Sequence, residues 1–177
     1  MEQQLLASSV HAGAYDRNIG IIFEADSDTH YLCTPVDAYV FAYTGGDGVH
    51  FCTIPDTFGD MIFIVEPMPL DDIHVRPVAR NFTDFIRVLL AVRFTGILLD
   101  IPLRTEAEFY DGLQLFRDQL DTEEHRKQLY SLAAYYNAAP MDDPYTYIRS
   151  LQDTFDYNLI PFSDDYYESC GLPNPNI

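Results

Sequence analysis

The sequence predicts an α+β fold: a small, mainly antiparallel sheet within the first 100 residues, flanking helices, and a helical C-terminal part. Three observations carry this. Short β-rich runs between turn residues are confined to the first half of the chain, and from about residue 81 onward long apolar stripes at helical spacing dominate. The chain also has the means to build a core, with 177 residues, 47% of them hydrophobic, including 12 Phe and 13 Tyr but no Trp. That composition excludes the weakly apolar, highly charged regime of disordered chains. One domain over 1–177 is expected, with a sheet-bearing core at 19–101, a helical part at 105–155 and an acidic aromatic tail at 156–177.

Residues 19–25 form an apolar run between Asn18 and Asp26-Ser27-Asp28, the marks of a strand between turns. The next stretch admits two structures. Thr34 as N-cap, Pro35 in the first turn and Asp37 as capping acid precede Val36, Tyr39, Val40 and Tyr43 at helical spacing, which favours a short helix over 35–43 ending before Gly45. The alternative is a hairpin that pairs 39–44 with 49–54 across Gly45-Gly46-Asp47-Gly48, whose glycines supply positive φ. Residues 49–54 themselves suit a strand, and 61–65 suit a central strand buried on both faces. A strand at 74–79 should lie at an edge or be broken, because Pro77 lacks a ladder donor.

Asn81 caps a helix whose stripe is Phe82, Phe85, Ile86, Leu89 and Leu90, with Gly96 as its C-cap. A short apolar segment at 97–101 is closed by Pro102. Phe109, Leu113, Phe116 and Leu120 mark the next helix, and Asp121 with Glu124 marks the start of another, striped by Leu129, Leu132, Ala133 and Tyr136. Asp143-Pro144 opens a last helix carrying Tyr145, Ile148, Leu151 and Phe155. Residues 158–177, with Pro161, Pro173 and Pro175, read as a tail laid over the body.

Charge bears on partners. There are 28 acids against 10 bases, of which only Lys127 is a lysine, and the net charge is −18. The acid is concentrated in both ends of the chain, while residues 71–104 carry four acids and five arginines. Such a charge opposes binding to nucleic acid or an anionic membrane, and it suits equally a chain kept soluble by its charge or one that captures a basic protein partner. The start of the chain lacks a signal peptide's basic and apolar regions, and no apolar run approaches the roughly 18 residues of a membrane span, so a cytoplasmic location is expected. The glycosylation match at Asn81-Phe82-Thr83 is idle in that setting. Cys33, Cys52 and Cys170 fit neither a disulfide framework nor a metal knuckle, and no cofactor or metal is predicted.

Catalysis has one local candidate. Asp47, His50 and Cys52 could act as orienter, base and nucleophile, because His50 and Cys52 would share a strand face. Two ligands are too few for zinc, and the glycine-rich turn lacks the pattern of a phosphate cradle. A turn beside a half-buried histidine is the favoured reading, and no catalytic residue is assigned. The acidic pairs Asp71-Asp72, Asp142-Asp143 and Asp164-Asp165 suit solvated faces or helix caps. Ser163 to Glu168 interleaves acids with tyrosines, which suits contact with a basic surface, or equally tyrosines docked inward beneath solvated acids. The partner-binding residues are accordingly Asp47, Asp142, Asp143, Asp164, Asp165, Tyr166, Tyr167 and Glu168. Arg76, Arg80, Arg87 and Arg93 are expected to pair with the chain's own acids, with Arg80 and Arg87 on one face if the helix extends back that far.

The order strand, Pro35-led helix, turn at Gly45-Gly46, strands, then edge strand into Asn81-Phe82-Thr83-Asp84-Phe85-Ile86 resembles the SUKH superfamily over residues 19–101. The family includes bacterial immunity proteins of toxin systems and fungal cell-wall regulators. Thr44 stands where the family has asparagine, Cys33-Thr34 separates Leu32 from Pro35, and the family's frequent tryptophans are absent. The resemblance implies a non-enzymatic binding protein with an acidic face that blocks a basic toxin, such as a nuclease. A structural or regulatory interaction module with a non-toxin partner is the alternative, and a hydrolase using Asp47, His50 and Cys52 is the third reading. The sequence does not fix the oligomeric state.

Overall fold

The computed structural model describes residues 19–23 and 31–175. Five strands, β1 (Ile22–Phe23), β2 (Tyr39–Tyr43), β3 (His50–Thr53), β4 (Ile62–Val65) and β5 (Val75–Ala79), form one antiparallel sheet whose spatial order is their chain order. A one-turn helix α1 (Pro55–Phe58) bridges β3 and β4. After the sheet come α2 (Phe82–Val92), a 3-10 segment (Thr95–Leu103), α3 (Glu106–Leu120), α4 (Glu123–Tyr136), α5 (Pro144–Thr154), a 3-10 turn (Tyr157–Leu159) and α6 (Asp164–Cys170). The fold is α+β, as the segregation of strand and helix signals requires.

The helix favoured over 35–43 is not formed: residues 39–43 are a strand. The hairpin wins because its turn residues are suited to it, with φ of 80°, 51° and 72° at Gly45, Asp47 and Gly48. Thr44 N donates to Val49 O at 3.0 Å to close it. The would-be cap Thr34 instead accepts from Tyr31 N at 3.0 Å and meets His50 Nε2 at 3.2 Å. A cap is worth about 1 kcal/mol, whereas strand pairing buries Val40, Phe41 and Ala42 together, each large side chain worth about 1.5–3 kcal/mol. A register shift between Val40 and Ala42 allows Phe41 and Ala42 to join the same core. Where the SUKH resemblance has a proline-led helix, this chain has turns and a strand.

The remaining elements follow their local signals with small displacements. Residues 61–65 give β4, buried throughout, and β5 is an edge strand with Pro77 opposite Phe63 beside a register shift. Asn81 Oδ1 accepts from Asp84 N at 2.9 Å, capping α2. The C-cap is Arg93, at φ 63°, not Gly96, because the chain re-enters helical turns from Thr95. Pro102 lies inside that 3-10 segment and does not close it. The start expected at Asp121 is capped one residue later, by Thr122, whose side chain accepts from His125 N. Asp143 caps α5 and Pro144 takes its first position, as predicted. That helix is not the last, since the tail holds α6, whose seven residues are too few to show a period.

The two faces of the sheet build two cores. Phe51, Ile62, Ile64, Val78 and Ala79 meet the stripe of α2, where Phe85 packs against Phe41 and Phe51 at 5.7 and 5.0 Å between rings. On the other face, Val40, Cys52, Phe63, Val65 and Val75 are covered by Phe155, Ile160, Phe162 and Tyr166. The tail is thus a third layer, tied to the turn before β2 by Val36 N donating to Pro161 O at 2.7 Å.

Candidate functional site

Described parts of two acidic stretches, 31–75 and 155–175, meet on the second face of the sheet. No Lys or Arg occurs between residues 18 and 75 or after Arg149, and these two base-free stretches supply the two sides of the second core. On α6, Asp164 and Asp165 precede Glu168 by four and three residues, so the three carboxylates share an exposed side. Ser163 caps this helix by accepting from Tyr166 N at 3.2 Å, and Asn174 Nδ2 steadies Asp164 Oδ1 at 2.6 Å.

The same face carries a groove of about 430 Å³ lined by Tyr31, Leu32, Val36 and Asp37 on one side and Ser163 on the other. Tyr31, Leu32 and Val36 are all substantially exposed. Tyr31 also lies against Gly48, beside Asp47 at the hairpin tip, and stacks on His50 at 5.8 Å. Asp47, the groove and α6 are therefore contiguous: apolar side chains rimmed by carboxylates, the chemistry of a surface that takes a basic partner with an apolar anchor.

Of the sequence-predicted residues, Asp47, Asp164, Asp165 and Glu168 are exposed on this face. Tyr166 is turned inward, 6% exposed, stacked on Phe162 at 4.0 Å and edge-on to His74 at 5.7 Å. Burial pushes its phenol up to about 12. Tyr167 is half-buried in the same core. The tyrosines thus dock inward beneath solvated acids, and Tyr166 has no free surface to offer. Asp142 and Asp143 lie away from the groove, in the α4–α5 connection. Asp143 accepts from Thr146 N at 3.0 Å and Tyr110 Oη at 2.9 Å, and its hydrogen bonds from Thr146, then Tyr110, hold its carboxyl below the usual range. The sequence does not single out Tyr31, Leu32, Val36 and Asp37 as a groove, because the helical reading of 35–43 places Val36 and Asp37 in a helix and leaves Tyr31 and Leu32 in the connection before it.

The trio Asp47, His50 and Cys52 is divided by burial. Asp47 is exposed at the hairpin tip, whereas His50 and Cys52 are fully buried. His50 Nδ1 lies 2.8 Å from Gly48 O, and its ring is flanked by Tyr31 and Tyr43. Burial, with the nearby Cys33, pushes the Cys52 thiol up, and burial likewise carries Cys33 to about 11, which disfavours the thiolate a nucleophile requires. Among the described residues no group of three His, Cys, Asp or Glu side chains converges as a metal site, and no helix is long and apolar enough to cross a membrane.

The central arginines do pair with local acids: Arg76 with Asp71, Arg87 with Asp84 at 3.3 Å and Arg93 with Asp121 at 3.9 Å. Arg80 precedes α2 and rests over the Tyr147 ring at 5.5 Å. No protein-family model, curated protein or solved structure matches this chain.

Proposed function

We propose that this chain is a non-enzymatic binding protein that captures a basic protein partner on the face formed by Asp37, Asp47, Asp164, Asp165 and Glu168 around the groove. The observation that carries this reading is the convergence of the two base-free stretches on one side of the sheet, beside exposed Tyr31, Leu32 and Val36. Carboxylates at the rim steer a positively charged partner into encounter, and an apolar anchor in the groove then slows its release. A nuclease must be basic around its substrate groove, so an acidic face of this kind can imitate phosphate and occlude it. Together with the SUKH resemblance, this supports an immunity-type protein that acts in the cytoplasm on a toxin.

The test is association with the product of the adjoining gene, where that gene encodes a toxin domain. Binding should slow as salt shortens the Debye length from about 30 to about 8 Å, and Asp164→Lys with Asp165→Lys and Glu168→Lys should slow association at least about tenfold with little change in melting temperature. Co-expression should rescue growth. An affinity unmoved by both salt and charge reversal refutes the electrostatic mechanism. Salt-dependent binding to a basic partner without rescue assigns the chain to regulatory or structural interaction instead.

A further inference from the structure

Nine Lys and Arg side chains lie among the described residues, and seven of them form ion pairs with carboxylates. Arg80 has the face of Tyr147. Arg117 has neither. Its Nη2 donates to Ala91 O at 3.0 Å near the end of α2, while its Nε is buried with no hydrogen-bond partner. Capping a helix end uses one of a guanidinium's five N–H donors, so the cap alone leaves this side chain underused. Arg117 lines a cavity of about 140 Å³ between α2, α3 and the α4–α5 connection, and Arg93, whose ion pair at 3.9 Å is the longest of the seven, lines it too. On the far side of Arg93 and Pro140 is a second cavity of about 170 Å³, mainly apolar, with Arg126 and Tyr130 in its wall.

We propose that this paired cleft binds a small organic monoanion, a carboxylate carried on a short aliphatic or phenyl body. The carboxylate lies between Arg117 and Arg93, where it takes terminal guanidinium N–H donors that the bond to Ala91 O leaves over, and the apolar body lies against Leu113, Met141 and Pro140. Burial, and then the like charge of Arg93, lower the proton affinity of Arg117, and an anion between the two guanidiniums offsets both effects. Among the carboxylates about the cleft, Asp121 is held by Arg126 at 2.8 Å and Asp143 accepts from Tyr110 Oη at 2.9 Å, while Asp142 lies in the cavity wall and works against an anion there. A monoanion is favoured over phosphate because the field of a molecule with net charge −18 penalises each further negative charge, and because the walls of the adjoining second cavity are largely apolar. Each cavity is smaller than the roughly 300 Å³ at which drug-sized sites begin, which limits the ligand to a fragment. This inference is independent of the partner-binding face.

The test is calorimetric titration and thermal shift of the full chain with hexanoate, phenylacetate, hexanol and inorganic phosphate. Hexanoate or phenylacetate should bind with a dissociation constant on the order of 1 mM, the scale of a fragment. Hexanol and phosphate should bind at least about tenfold more weakly. Arg117→Gln should weaken carboxylate binding about tenfold or more, and Arg117→Lys, which keeps a donor for Ala91 O, should weaken it less. Should Arg117→Gln not fold, Arg93→Gln at the rim supplies the same charge test. Failure of both carboxylates to bind, equal binding of hexanol, tighter binding of phosphate, or unchanged affinity in folded Arg117→Gln or Arg93→Gln each overturns the proposal.

Discussion

Two buried polar side chains show how single residues are held in opposite ways. Thr53 is fully buried in β3, and its hydroxyl has no hydrogen-bond partner. An unsatisfied buried hydroxyl costs more than it returns, so Thr53→Val should stabilise the protein by about 1 kcal/mol, read as a higher urea midpoint with unchanged slope. Arg76 is buried as well but fully engaged, since its guanidinium donates to Ile73 O and pairs with Asp71. For Asp71, desolvation acts upward, but the hydrogen bond and charge of Arg76 outweigh it, and the carboxyl is held below its ordinary value. A depressed folded value means that the stabilisation is complete above the unfolded-state value of 3.8 and is lost as pH falls through the lower, folded one. Asp71→Asn should therefore flatten the acid limb of a melting-temperature profile below about pH 4. Burial shifts Glu66 upward nearby, so the two proteins must be compared at each pH.

At the scale of elements, the β2–β3 hairpin decides the most. Residues 35–43 carry real helix-start signals, yet each was absorbed elsewhere: Thr34 binds Tyr31 N and His50, while Asp37 takes φ 59° in a turn. Gly48 is the position on which the hairpin depends. It sits at φ 72°, and a Cβ there would run into the Tyr31 ring. Gly48→Ala should cost about 2 kcal/mol and displace Tyr31 from the groove, which chemical denaturation and tyrosine fluorescence can follow. α6 makes the complementary point. Its capping serine and following acids are plain in the sequence, but what makes this short helix persist is the docking of Tyr166 and Phe162 on the sheet.

On the scale of the whole molecule, charge is segregated. All nine described basic side chains fall between residues 76 and 149, so the described stretches 31–75 and 155–175 bring acids and no Lys or Arg to the face they form. Self-repulsion in that face opposes folding, and seven mostly exposed ion pairs are of modest worth against an excess of 18 charges. Raising ionic strength from about 10 to about 150 mM should therefore raise the melting temperature, since screening relieves more repulsion than attraction. A fall in melting temperature over that range would mean that the ion pairs dominate.

The amino-acid sequence was enough for the class of fold, the caps at Asn81 and Asp143, the edge position of the strand containing Pro77, and the size and sign of the net charge. These are local or summed properties, fixed by a few adjacent residues or by composition. It did not determine the structure of 35–43, where helix and hairpin signals are both present within the fifteen residues 34–48 and burial on two sides of a sheet chose between them. Nor did it show that Tyr166 faces inward, that Asp142 and Asp143 leave the acidic face, or that Leu32 and Val36 border it. Which acids share a surface depends on contacts between residues more than a hundred positions apart, as where Val36 meets Pro161, and only tertiary packing brings those together.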